Sequence, residues 1–72
     1  MRLLVEFETD AAARRAYAEL EATGFRESEL RIDHPFEQGT IVSVEASSDR
    51  LLLAVEVLRR HELDEASGLA AH

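Results

Sequence analysis

The chain contains no cysteine, no tryptophan and no lysine, and only one proline, one tyrosine and three glycines. Without cysteine there is no thiolate nucleophile, no disulfide and no zinc–thiolate cluster. Without lysine there is no Schiff-base chemistry and no ammonium for a phosphate loop. Long apolar runs are also missing. The opening Met1-Arg2-Leu3-Leu4-Val5-Glu6 is interrupted by a carboxylate before a signal-peptide core or a membrane span could form, so a soluble, cytoplasmic protein is expected. Glycine-rich phosphate loops, nucleophile elbows and spaced metal-ligand motifs are lacking too, and no cofactor is expected.

What is present is one small domain's worth of chain. Its 72 residues are 46% hydrophobic and 32% charged, apolar enough to build a core rather than remain disordered. A domain of this size buries only roughly 60% of its unfolded surface, which favours help from a partner subunit. Fifteen acidic residues stand against eight arginines, a formal charge of −7. That balance disfavours binding to nucleic acid, whose affinity rests on a basic surface releasing counterions, and nothing points to a membrane partner.

Period-2 alternation of Leu3, Val5 and Phe7 against Arg2, Leu4, Glu6 and Glu8 predicts a first strand. Thr9-Asp10 offers an N-cap to an Ala-rich helix over 11–23, stopped by Gly24 with Phe25 placed to fold back on Leu20. Leu30 and Ile32 mark a second strand within 28–36, and Pro35 consigns it to a sheet edge. Glu37-Gln38-Gly39 links it as a hairpin to a third strand over 40–46. Ser47-Ser48-Asp49 caps a second helix expected to end near His61, and residues 63–66 are a candidate for a short fourth strand.

This order predicts an α+β fold: a ferredoxin-like βαββα(β) sandwich, its sheet mainly antiparallel, with both helices on one face. A single domain over 1–66 and a C-terminal tail over 67–72 are expected. The run from Val5-Glu6-Phe7-Glu8-Thr9-Asp10 through Ala16-Tyr17-Ala18-Glu19-Leu20 to Thr23-Gly24-Phe25 resembles small bacterial general stress proteins. Gly39 to Val44 followed by Val57-Leu58-Arg59-Arg60-His61 resembles their second strand–helix unit. The resemblance covers about residues 3 to 66, carries no catalytic chemistry, and implies the same sandwich and a link to stress.

Among single residues, His34 on the strand face of Leu30 and Ile32 would need partners such as Glu37 or His61 to converge on it for a ligand or catalytic role, and no His-x-x-x-His spacing is present, so a strand-end histidine is favoured. His61 is expected to close its helix against the macrodipole, and His72 to belong to the tail. Leu4 and Ile41 form an apolar centre on an otherwise charged sheet face, the pattern of an interface core with a polar rim. On the second helix Leu51, Ala54, Val55 and Leu58 form one stripe, leaving Leu52, Leu53 and Val57 outside it for a partner to cover.

The expected function is therefore a non-catalytic interaction or regulatory module, homodimeric or bound to another protein, with Leu4, Ile41, Leu52, Leu53 and Val57 at its interface. The alternative is a small dimeric enzyme or ligand sensor whose cleft between sheet and helices gathers Tyr17, Arg31 and His34. A hard-cation site among the sheet-face carboxylates is a third, weaker possibility.

Overall fold

The computed structural model describes residues 1–35 and 39–70, the last five of these as backbone only. Strand β1 (Arg2–Phe7) leads into helix α1 (Asp10–Thr23), a single 3₁₀ turn (Glu27–Glu29), strands β2 (Leu30–Asp33) and β3 (Thr40–Glu45), and helix α2 (Ser48–Ala70). The sheet is antiparallel throughout in the order β1-β3-β2, so the two strands joined through α1 are parallel to one another and flank β3. This is an α+β fold with a three-stranded sheet and two helices.

Each local signal has its physical counterpart. Thr9 Oγ1 accepts from the Ala12 amide at 3.2 Å and so satisfies one of the orphan donors that open α1. At the other end Gly24 adopts φ 119°, its amide bonds to the Glu21 carbonyl, and the Phe25 amide reaches back to the Leu20 carbonyl. That pair of bonds is the Schellman arrangement, and it drops Phe25 into the core beside Leu20. Gly39 is required for a different reason: a Cβ there would lie 2.0 Å from the Phe7 carbonyl oxygen.

The core lies between one sheet face and both helices. Phe7, Leu30, Val42 and Val44 from the sheet meet Ala12, Ala13, Ala16 and Leu20 of α1 and Leu51, Ala54, Val57 and Leu58 of α2, with Leu3, Val5, Tyr17, Ile32 and Ala46 packed partly against them. Small alanines on α1 let that helix approach the sheet closely. The opposite sheet face bears Arg2, Leu4 and Glu6 of β1, Ile41, Ser43 and Glu45 of β3, and Arg31 and Asp33 of β2.

Three expectations need correction. Helix α2 does not end near His61 but continues to Ala70, so residues 63–66 are helical and form no fourth strand. Leu, Glu and Ala are strong helix formers, and neither Gly nor Pro interrupts the chain between Ser48 and Gly68. His61 consequently sits inside the helix, where its Nε2 lies 2.7 Å from Glu19 Oε1 of α1; Arg60 pairs with the same carboxylate. Val57 is 5% exposed and belongs to the core, not to an interface. It stands three residues after Ala54 and Leu58 four after it, so the two flank Ala54 on the buried stripe while Val55 falls to its margin. Phe36 and the Glu37-Gln38 part of the hairpin link lie outside the described residues, as does His72.

Candidate functional site

Exposed apolar surface is where the molecule departs most from a self-sufficient domain. Leu4 is 60% exposed, Leu52 67%, Leu53 49% and Leu63 60%. Leu4 stands on the open sheet face because β1 alternates, and it pairs across to Ser43, so Ile41, two residues before Ser43, lies on its diagonal. Ile41 is half-buried between Glu6 and Asp33. Charges surround this centre: Arg2 pairs with Glu45 at 3.2 Å and Arg31 with Asp33 at 3.1 Å. Leu4 and Ile41 thus share the open sheet face with charges around them, while Leu52 and Leu53 are exposed on α2.

The edge of β1 adds main-chain groups to that surface. Met1 and Ala46 exchange both main-chain bonds, at 3.2 and 3.0 Å. Alternation along an antiparallel ladder then makes Leu3–Val44, Val5–Val42 and Phe7–Thr40 the bonded pairs and turns the amides and carbonyls of Arg2, Leu4 and Glu6 outward. No partner for those outward amides exists among the described residues. The edge is closed at its far end by Glu65 of α2, whose carboxylate accepts from the Glu8 amide and the Thr9 amide, both at 2.8 Å, and from the Thr9 hydroxyl at 3.0 Å. Beside the open stretch runs a small notch of about 150 Å3 lined by Leu3, Val5, Val55, Leu58, Arg59 and Glu62.

A second, larger groove of about 550 Å3 follows the other edge, between α1 and β2, with Tyr17, Arg14, Glu21, Glu27, Leu30 and Arg31 on its walls. Burial, reinforced by Glu21 and Glu27, raises the Tyr17 pKa, so its hydroxyl stays protonated and can only act as a neutral donor or acceptor. The structure brings Tyr17 and Arg31 together here, but not His34. That histidine stands past the end of β2, with Nδ1 3.4 Å from Thr40 Oγ1 and Nε2 3.5 Å from Asp10 Oδ1. Asp10 itself is held below the usual carboxylate range chiefly by its hydrogen bond from Arg14, against some desolvation, with Arg14, His34 and Thr40 also lowering it. The hydroxyl beside the ring belongs to buried Thr40, and the ring itself is largely in solvent.

A third cluster joins the two halves of the chain. Arg50 of α2 pairs with Glu29, donates to the Gly24 carbonyl at 3.0 Å, and places its guanidinium 4.7 Å from the Phe25 ring centre. Glu29 is lowered first by the Arg26 amide and then, against desolvation, by Arg50 and Arg26. Every group in this cluster is matched, which marks it as a structural clasp.

Among the described residues no three His, Asp or Glu side chains converge as metal ligands, so the sheet-face carboxylates do not form a cation site there. No helix among them is long and apolar enough to cross a membrane. Glu65, Arg50 and Glu19 escaped sequence reasoning because each acts on residues far away in the chain. The one local signal for Glu65 was the uninterrupted helix-forming composition after His61. A scan against protein-family models and searches of curated proteins and of solved structures found no match to this chain.

Proposed function

We propose that this chain is a non-catalytic interaction or regulatory module that associates with a second copy of itself in the cytoplasm. The observation that carries this is the exposure of large hydrophobics on a chain of 72 residues, with Leu4 at 60% and Leu52 at 67%, while Arg50–Glu29 and Arg31–Asp33 among its polar side chains pair with one another. Exposed apolar centres with charged rims are how small domains bury surface between subunits. The strand order β1-β3-β2 with two helices supports reading the fold as a ferredoxin-like sandwich without its last strand. The resemblance of its first half to small general stress proteins supports a stress-related role.

Solution mass by light scattering over a concentration series tests this, comparing wild type with Leu4→Glu and Leu52→Glu. A concentration-dependent dimer that either substitution splits supports the module. A monomer at every concentration overturns it, and favours the second reading, a ligand sensor or small enzyme. That reading rests on the groove that gathers Tyr17 and Arg31.

A further inference from the structure

We propose that the second copy adds to the sheet through β1, the two β1 strands pairing antiparallel about a two-fold axis at Leu4, so that two three-stranded sheets become one continuous sheet. This rests on the self-association proposed above and specifies its geometry.

The register follows from parity. The outward main-chain groups belong to Arg2, Leu4 and Glu6, so an incoming antiparallel strand must place even-numbered residues opposite even-numbered ones. Centring the pair on Leu4 sets Leu4 opposite its own copy and Arg2 opposite Glu6 of the second chain, twice over by symmetry. These three side chains share the open face, so an apolar contact is flanked on both sides by opposite charges. Directly opposed side chains of this kind favour pairing. Glu6 has no ion-pair partner among the described residues, whereas Arg2 holds Glu45 in its own chain and can bridge both carboxylates.

The inner face agrees. The same register puts half-buried Leu3 opposite Val5 of the second copy, and these two residues line the notch beside α2. Val55, Arg59 and Glu62 form the α2 wall of that notch, and Leu52, three residues before Val55, extends the same stripe by a turn. A second subunit docked on the edge therefore approaches exposed Leu52 as well as Leu4. Glu65 sets the limit of the interface, because its carboxylate already occupies the amides at Glu8 and Thr9.

The competing edge is weaker. Strand β2 has four residues against six in β1, Pro35 follows it closely, and its Arg31 and Asp33 already satisfy each other. Pairing through β1 adds about six main-chain hydrogen bonds, two for each bonded residue pair.

The absence of native cysteine allows a direct test. In the full chain, Leu4→Cys places a single thiol about 5.5 Å, Cα to Cα, from its copy, close enough to be bridged by oxidation or by a short bifunctional thiol reagent. Glu45→Cys on β3 lies three strand spacings across and four residues along the strand direction from its copy, about 20 Å away, and should stay uncross-linked. Glu6→Arg, at an exposed site, opposes arginine to arginine across the axis and should weaken dimerisation about tenfold by light scattering while leaving the thermal midpoint of the monomer unchanged. A wild-type dimer in which Leu52→Cys cross-links and Leu4→Cys does not overturns the edge geometry but leaves self-association standing. A wild-type monomer overturns both.

Discussion

At the scale of single residues, two glycines of this chain do different work. Gly24 supplies a positive φ at the end of α1, and Gly39 supplies empty space, since the Phe7 carbonyl oxygen occupies the position its Cβ would need. The obstacle at Gly39 is backbone of the neighbouring strand, which cannot rotate aside as a long side chain can. Gly39→Ala should therefore destabilise the fold by about 1–3 kcal/mol, the range of overpacked substitutions, measured by urea denaturation. A stability within a few tenths of wild type would show that the β3 entry yields readily.

Glu29 is the residue whose ionisation bears most clearly on the fold. Its carboxyl is lowered by the Arg26 amide, with Arg50 reinforcing, so the folded state holds this group charged at pH values where the unfolded chain takes up a proton. The stabilisation is thus complete above the unfolded carboxylate range, near pH 4.3, and drains away as the pH falls through the lower folded value. Thermal midpoints measured from pH 7 down to pH 3 should drop in the wild type, and Glu29→Gln should show a lower midpoint at pH 7 with a shallower acid decline. Parallel curves for the two proteins would remove Glu29 as a source of acid sensitivity.

At the scale of elements, α2 is the part of the chain that organises the rest. Its first turns carry Arg50 to the α1–β2 connection, its middle carries Arg60 and His61 to Glu19 of α1, and its later turns carry Glu65 to the end of β1. The Glu65 carboxylate also steadies the α1 cap, because Thr9 donates its hydroxyl to Glu65 while accepting from the Ala12 amide. Replacing Glu65 by Ala should speed amide hydrogen exchange at Glu8 and Thr9 and leave Val5, bonded within the sheet, as protected as before. Equal protection in both proteins at Glu8 and Thr9 would mean that these amides do not depend on α2.

A helix that continues where a closing strand would otherwise return leaves β1 at a sheet edge. Edge strands expose a template for pairing, and proteins blunt them with charge, shortness or a cover. Here charge is present at Arg2 and Glu6, but of opposite signs at symmetric distances from Leu4, so it favours pairing with a copy instead of preventing it. Glu65 then acts as the blunt end, covering the last outward amide and limiting how far pairing can run.

At the scale of the whole molecule, a small core bounded by one sheet face and two helices leaves the other sheet face and one α2 flank in water. The net charge of −7 makes copies of the chain repel one another, so any association depends on local complementarity more than on bulk attraction. Opposed Arg2 and Glu6 side chains provide that complementarity at one edge.

Much of this architecture is local and was legible in the residues. Alternation placed β1, β2 and β3; Thr9 and Gly24 bounded α1; Pro35 marked β2 as an edge; and the exposure of Leu4 and Leu52 followed from period alone. Each of these depends on neighbours within a few residues, where backbone sterics and side-chain period act directly. Helix α2 was legible as far as about His61 and not beyond, because Leu63 to Ala66 fits a short strand or a helix when taken alone, and continuity with the preceding turns decides for the helix. The separation of His34 from Tyr17 and Arg31, the burial of Val57, the clasp of Arg50 on Glu29 and Phe25, and the closure of the β1 edge by Glu65 were decided by tertiary structure. They depend on how elements dozens of residues apart are packed against one another, and that arrangement exists only once the sheet has its order and the helices have their places upon it.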